Sequence, residues 1–213
     1  FGADGMVVKN DIAKITDLKG KTVAASAPGT APFFTLAWML KKNGMTTKDV
    51  KIVNLEPQAA ANAMIAGNAG LDAALTYEPY LSAVRAKPEA GKIIATTLDY
   101  PMIMDTFGCV PKFLADNPKA AKAIADSYFE AVEMISKEPK KSFEIMGADV
   151  KQTGEAFEAS QKYLRWQDRA ANLKFFSGEH AQFSKEAADL LLEAGIIKQL
   201  PDMSKLADTR FIK

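Results

Sequence analysis

Short β-prone runs alternate with helical stretches over the first half of the chain, and this alternation constrains the fold more than any other feature. Five runs predict strands: 5–9, 22–25, 51–55, 71–76 and 92–96. Helical patterns lie between them, at 32–43, 57–67 and 79–86, with a single helical turn at 15–18. Strands that alternate with helices at this interval predict βαβ units, and hence a mostly parallel sheet with helices on both faces.

The pattern changes after Pro111, where helices replace the alternation. Apolar residues recur at helical spacing over 118–147, with a break at Pro139, and further helices are predicted at 153–163, 167–175 and 179–194. These helices carry apolar stripes, yet no β-rich partner follows Pro111. Either the stripes cover the first domain, or they belong to a second sheet whose strands lie mostly outside this chain. We favour the second interpretation.

The turn between the second predicted strand and the first long helix has the composition of a binding loop. Ser26 and Thr30 offer hydroxyls, Gly29 allows a ligand to approach the backbone closely, and Pro32 suits the start of a helix. The turn, which includes Ala31, lies at the start of the helix, where backbone N–H groups are free and the helix dipole is positive. This position favours an anionic ligand group or a strong hydrogen-bond acceptor. The alternative is that Thr30 only caps the helix and nothing binds.

Composition excludes several classes of function. Lys and Arg number 27 against 26 for Asp and Glu, so there is no basic field to attract nucleic acid. No apolar run approaches the roughly 20 residues of a membrane span. The single Cys109, in a predicted buried strand, and the single His180 argue against a disulfide, a metal cluster and a catalytic triad. We therefore expect no cofactor, no metal and no catalytic residue.

Three segments point to a known family: DLKGKTVAASAPGT at 17–30, DAALTYEPY at 72–80, and ADLLLEAGIIKQLPDMSKLADTRFI at 188–212. Their order and spacing resemble the substrate-binding proteins of ABC importers, in the nitrate, sulfonate, taurine and thiamin-pyrimidine group. The resemblance implies an α/β fold of the periplasmic-binding-protein-like type II. It implies one complete βαβ lobe and the mainly helical C-terminal remainder of a second lobe, without the N-terminal part of the family.

The same resemblance implies where a ligand contacts the chain. The turn of Ser26, Gly29, Thr30 and Ala31 would face an inter-lobe cleft, with Tyr77 and Glu78 at the end of a strand, Tyr80 nearby and Asp105 at the hinge. A carboxylate at Glu78 would select a ligand with a donor or cationic end. Each residue has a simpler interpretation: Glu78 as a solvated loop charge, Asp105 as a turn former, and the tyrosines as fillers of the core margin.

The domain and partner predictions follow from that resemblance. Residues 1–10 would form a lobe-one strand and the first crossover, and residues 11–106 the complete ligand-binding lobe. Residues 107–213 would contain the second crossover and the helical remainder of lobe one. The second crossover is expected within the stretch 102–110, at the boundary of these two parts. The expected partners are a small-molecule ligand and the membrane permease of the importer, in the periplasm or outside a cell that lacks an outer membrane. Any export signal would have been removed or was never there. If the N-terminal part is absent from the molecule, exposed apolar helices and a homodimer are expected.

The predicted function is solute capture for import, without catalysis. The favoured ligand is an amine, an amidine or a pyrimidine-like molecule, and the alternative is a sulfonate or nitrate anion. The ligand-sensing domain of a transcription regulator is another alternative. A thiamin-pyrimidine synthase is disfavoured, since that enzyme requires an iron site rich in Cys and His, and this chain has one of each.

Overall fold

The computed structural model describes residues 2–213, which fold as two compact units. Unit 1 contains the residues up to Ile103 together with Ala188–Leu200, and unit 2 contains Met104–Ala187 and Pro201–Lys213. No helix within residues 2–213 is both long and apolar enough to cross a membrane.

Unit 1 contains the predicted alternation of strands and helices. Its strands are β1 (Asp4–Val8), β2 (Thr22–Ala25), β3 (Lys51–Asn54), β4 (Ala73–Tyr77) and β5 (Lys92–Thr96). Its helices are α1 (Ala31–Lys42), α2 (Pro57–Ile65) and α3 (Tyr80–Arg85), with short 3₁₀ turns at Ile15–Leu18 and Thr47–Asp49. All five strand predictions are confirmed, with shifts of one or two residues at several ends.

The five strands form one sheet in the order β3-β2-β4-β1-β5. β2 runs parallel to β3 and β4, whereas β1 is antiparallel to both β4 and β5. The carboxyl ends of β2, β3, β4 and β5 therefore lie at one edge of the sheet, beside the amino end of β1. We call this the carboxyl edge.

Side chains that alternate along each strand supply a core on both faces of the sheet. Met6 and Val8 of β1 join a buried cluster with Leu36 and Leu40 of α1, whereas Val7 points the other way. On that second face the cluster includes small alanines and Met64 of α2, and Leu81 and Val84 of α3. Period-two alternation on the strands thus places α1 on one face and α2 with α3 on the other.

Asp72 joins three strands at the opposite edge of this sheet. Its Oδ2 accepts the Thr22 N–H at 2.9 Å, and its Oδ1 lies 3.5 Å from the Lys9 ammonium. The hydrogen bond from Thr22 is the main reason that the pKa of this carboxyl is lowered, against the opposing effect of partial burial.

A lowered pKa makes Asp72 a source of pH-dependent stability. The stabilisation is present above the pKa of an unfolded aspartate and is lost as pH falls through the lower folded value. We expect Asp72→Asn to reduce the free energy of unfolding by about 1 kcal/mol at pH 7. The difference from the wild type should shrink below about pH 4. Urea unfolding at several pH values measures this, with Asp11→Asn, at an exposed aspartate, as the control; a pH-independent difference would contradict it.

Unit 2 has helices but no strand among the residues that the structure describes. Its helices are α4 (Pro111–Asp116), α5 (Pro118–Lys137), α6 (Pro139–Asp149), α7 (Gly154–Gln161), α8 (Arg169–Lys174) and the first half of α9 (His180–Glu193). Helix α4 was not predicted. The predicted gap between the last two helices is absent, because one turn of π-helix, Phe175–Glu179, joins α8 to α9.

The strand predicted around Cys109 does not form. No residue from 101 to 110 belongs to a helix or strand, and Cys109 is exposed. The prediction of a buried Cys109 is therefore wrong, because no neighbouring strand among residues 2–213 pairs with this segment and covers it.

Candidate functional site

The carboxyl edge of the unit 1 sheet brings together seven of the eight predicted ligand-binding residues. Ser26 follows β2, Tyr77 ends β4, and Tyr80 begins α3. The Thr76 hydroxyl donates to the Pro57 carbonyl at 2.8 Å, which fixes the end of β4 against the start of α2. Ligands of open α/β sheets lie beyond the carboxyl ends of strands, so this edge is the candidate site. The seven residues are Ser26, Gly29, Thr30, Ala31, Tyr77, Glu78 and Tyr80.

The amino end of α1 presents backbone donors that no protein group uses. Thr30 occupies the N-cap position, but its hydroxyl donates to the Ala27 carbonyl at 2.8 Å and does not cap the helix. Among residues 2–213, neither the Ala31 N–H nor the Phe33 N–H has a protein acceptor. Two unpaired N–H groups at the positive end of a helix dipole form a suitable seat for an anionic group.

The turn itself is held by its backbone conformation. Gly29 has φ +92°, which side chains other than glycine rarely adopt, and a Cβ at this position would lie 3.8 Å from Ile196. Ser26 is buried, with its hydroxyl 3.5 Å from the Leu55 carbonyl. The conformation of the turn is therefore fixed within unit 1, and Ile196, in the segment 194–197, lies beside Gly29.

Glu78 has two partners within the protein. One carboxylate oxygen pairs with the Arg85 guanidinium, and the other accepts the Ser82 N–H at 3.0 Å in the first turn of α3. Its side chain is 5% exposed and that of Arg85 is 24% exposed. A ligand donor at Glu78 would have to compete with both partners. The sequence analysis did not predict a role for Arg85. Its position seven residues after Glu78, about two helical turns, could have indicated an ion pair with Glu78.

Tyr77 and Tyr80 form an aromatic pair at the same edge. Their ring centroids lie 5.7 Å apart at an interplanar angle of 44°. Partial burial, followed by the electrostatic effects of Tyr80, Asp4 and Glu56, raises the pKa of the Tyr77 hydroxyl. The hydroxyl is thus protonated at neutral pH, and the aromatic pair has two carboxylates in its electrostatic environment.

Asp105, the eighth predicted residue, belongs to unit 2 and is exposed. Two surface hollows lie elsewhere: one of about 660 Å³ beside Ile145, Val150 and Phe157, and one of about 330 Å³ beside Lys9 and Leu71. Neither is lined by a predicted ligand-binding residue, so the candidate site rests on the carboxyl edge and not on these hollows. Within residues 2–213, no cluster of His, Cys, Asp and Glu is arranged to hold a metal ion.

Comparison with known proteins gives the class first: the chain has the periplasmic-binding fold of type II. The aliphatic sulphonate-binding protein SsuA of Escherichia coli superposes with a TM-score of 0.75 at 18% identity, covering 95% of this chain and 64% of SsuA. The desulfurization enzyme DSZB also superposes, with a TM-score of 0.60 at 13% identity, over 99% of this chain and 75% of DSZB. At these identities the likeness concerns the fold alone.

The chain belongs to the NMT1-like family, whose sequence model matches residues 3–146. Among curated proteins, the taurine-binding periplasmic protein of Escherichia coli K12 is 31% identical over 133 residues, which are 61% of this chain and 40% of that protein. The chain thus spans less than half the length of this relative. The predicted family and fold are confirmed.

Proposed function

We propose that this chain is part of the solute-binding component of an ABC-type importer in the periplasm. It would capture a small polar molecule and present it to the membrane permease, without catalysis. Membership of the NMT1-like family and similarity to a taurine-binding periplasmic protein support the proposal. The helix-end donors at the carboxyl edge of unit 1 supply a place for the ligand.

The ligand that we favour has an anionic end of the sulfonate type. The observation that carries this choice is the uncapped amino end of α1, where the Ala31 and Phe33 N–H groups lack protein acceptors. The amine or amidine that the sequence favours would depend on Glu78 as its partner. The Glu78 carboxylate already pairs with Arg85 and accepts the Ser82 N–H. The amino end of α1 and the Glu78–Arg85 pair both favour an anion at the turn over a cation at Glu78.

A ligand that carries a cationic group at its other end is a second candidate. The Tyr77–Tyr80 pair lies where Asp4 and Glu56 act on it electrostatically, and aromatic faces with nearby carboxylates attract ammonium groups. In this version an amine-bearing ligand, such as an aminosulfonate, lies across the edge from α1 to the tyrosines.

Residues 11–106, with the carboxyl edge, would act as one lobe of a two-lobed binding protein. In this proposal the segments 1–10 and 102–110 are the crossovers, and Asp105 contributes from the hinge. Closure of two lobes on a ligand is a common hinge motion in periplasmic binding proteins.

Thermal denaturation in the presence of small ligands tests the proposal. We expect ethanesulfonate and taurine to raise the melting temperature, and ethylamine, an aminopyrimidine and nitrate to have smaller effects. A ligand at about 100 times its dissociation constant adds about 2.7 kcal/mol of stability, which is readily detected. Stabilisation by ethylamine or the aminopyrimidine alone, abolished by Glu78→Gln, would replace the anion proposal by the amine one.

A further inference from the structure

The hollow of about 330 Å³ in unit 1 lies at the edge of the sheet opposite the carboxyl edge, and we call it the amino-edge hollow. Three loops surround it: residues 9–11 after β1, residues 67–71 between α2 and β4, and residues 89–90 before β5. Its base is apolar, because Met64 and Leu71 of the buried cluster on this face of the sheet line it. The volume is at the lower end of the range for small-molecule sites.

Hydrogen bonds between the three loops fix the shape of the amino-edge hollow. The Lys9 ammonium donates to the Ala69 carbonyl at 3.2 Å. The Asn10 side-chain amide donates to the Pro88 carbonyl at 3.0 Å. The Asn10 backbone carbonyl accepts the Lys92 ammonium, also at 3.0 Å. Because the loops are already tied to one another, binding of a small molecule would not have to order them.

The charged side chains around the hollow favour a cation. The carboxylates of Asp11 and Glu89 line it, and neither has an ion-pair or hydrogen-bond partner among residues 2–213. Of the described residues that line the hollow, only Lys9 is cationic, and its ammonium lies 3.5 Å from the Asp72 carboxylate. Even with Lys92 included, carboxylates outnumber ammonium groups, and two of the carboxylates are open to a ligand.

The carboxyl end of α2 adds to this negative potential. The helix ends at Ile65, and Gly67, with φ +67°, turns the chain along the side of the hollow. The carbonyls of Ile65 and Ala66 accept no hydrogen bond from the part of the chain that the structure describes. The negative end of a helix dipole stabilises a nearby cation.

We propose that the amino-edge hollow is a second binding site, which takes a small primary amine with a short aliphatic chain. The ammonium group would pair with Glu89 and Asp11, and the chain would lie on Met64 and Leu71. An anion would be repelled by the two open carboxylates, and a neutral molecule would leave them without a partner. The inference does not rest on the proposed function, because the hollow shares no residue with the carboxyl edge.

Titration with n-butylamine at pH 7 tests this site. The amide resonances of the ¹⁵N-labelled protein report the binding, at an ionic strength held constant with sodium chloride. We expect the largest shifts at Gly67, Leu71 and Ala90, with little change at Ala31 and Tyr77 of the carboxyl edge. 1-Butanol has the same chain without the charge and should bind roughly tenfold more weakly.

Variants at the hollow separate a specific ion pair from general attraction between charges. Glu89→Gln should weaken the binding of n-butylamine roughly threefold, and its combination with Asp11→Asn roughly tenfold. Ala90→Leu adds bulk to the lining and should abolish binding. Glu155→Gln, at an exposed carboxylate of α7 in unit 2, is the control and should leave the affinity unchanged.

Three results would overturn the proposal. One is equal affinity of the wild type and the double variant for n-butylamine, and another is the absence of any shift at about 50 mM amine. The third is a set of shifts that is largest at Tyr77 and Tyr80, which would place the amine at the aromatic pair of the carboxyl edge. Glu89→Gln should fold as the wild type does, because its carboxylate has no partner among residues 2–213 to lose.

Discussion

Replacement of Arg85 by Met is expected to destabilise unit 1 by about 3 kcal/mol. The Glu78 side chain is 5% exposed and pairs with the Arg85 guanidinium, so the substitution leaves a nearly buried carboxylate with the Ser82 N–H as its remaining recorded partner. An uncompensated charge in such a site is costly, because the solvent that would stabilise it is excluded. Urea unfolding, followed by circular dichroism, measures the loss.

Two further variants separate the buried charge from the general loss of an arginine. Glu78→Gln combined with Arg85→Met should recover at least half of the lost stability, because the uncompensated charge is gone. Lys112→Met removes an ion pair with Asp116 in which both side chains are more than half exposed, so its cost should be below about 0.5 kcal/mol. A cost for Arg85→Met as small as that of Lys112→Met would show that the Glu78–Arg85 pair contributes little to the fold.

The same variants also test the interpretation from the sequence that Glu78 contacts the ligand. If Glu78 binds an ammonium group, Arg85→Met should strengthen the binding of ethylamine, because the competing guanidinium is removed. We expect instead that Arg85→Met leaves the binding of ethylamine unchanged.

Local pattern predicted unit 1 well because each of its strands has its partners within the chain. Residues 92–96 were predicted as a strand and form β5 over the same residues. The strand predicted at 71–76 begins two residues later, at Ala73, because Leu71 and Asp72 form the connection in which Asp72 bonds to Thr22. The alternation of side chains predicts which side of the sheet each residue faces. Where a strand begins and ends depends instead on its hydrogen bonds with other parts of the chain.

The failures in unit 2 have physical causes of a different kind. A strand was predicted around Cys109, but a strand forms only where another strand supplies hydrogen bonds, and residues 2–213 contain none beside Cys109. The break predicted near Gly178 did not form, because one wider turn of π-helix accommodates the glycine within a continuous helix. Local preference could not predict either outcome.

The sequence predicted where the candidate residues lie in the fold, but not which groups they contact. The family resemblance, with which the rule for open α/β sheets agrees, implied that Ser26, Thr30 and Tyr77 lie close together, and they lie at one edge of the sheet. The partner of Glu78 could not be predicted, because the direction of α3 after Pro79 decides whether Arg85 reaches the carboxylate. The same limit applies to Thr30, whose hydroxyl could cap α1 or bond to Ala27, and only the observed turn shows the second arrangement.

Ala31→Pro is expected to weaken sulfonate binding by roughly 10- to 100-fold while leaving the fold intact. The substitution removes the Ala31 N–H, which has no protein acceptor, and with it one hydrogen bond to a charged ligand, worth about 1.5–3 kcal/mol. Proline is well tolerated in the first turn of a helix, and Thr30, with φ −92° and ψ 161°, already has the conformation preferred before proline. Isothermal titration with ethanesulfonate measures the affinity.

Ala31→Ser is the matched control, since it keeps the backbone donor at the same exposed position and should bind ethanesulfonate within about threefold of the wild type, a difference under 1 kcal/mol. The melting temperature of Ala31→Pro should equal or exceed that of the wild type, because proline restricts the unfolded chain without breaking a native hydrogen bond. If Ala31→Pro binds ethanesulfonate as tightly as the wild type, the amino end of α1 does not hold the anion. The ligand would then have to be sought at the Tyr77–Tyr80 pair, where the carboxylates of Asp4 and Glu56 favour a cation.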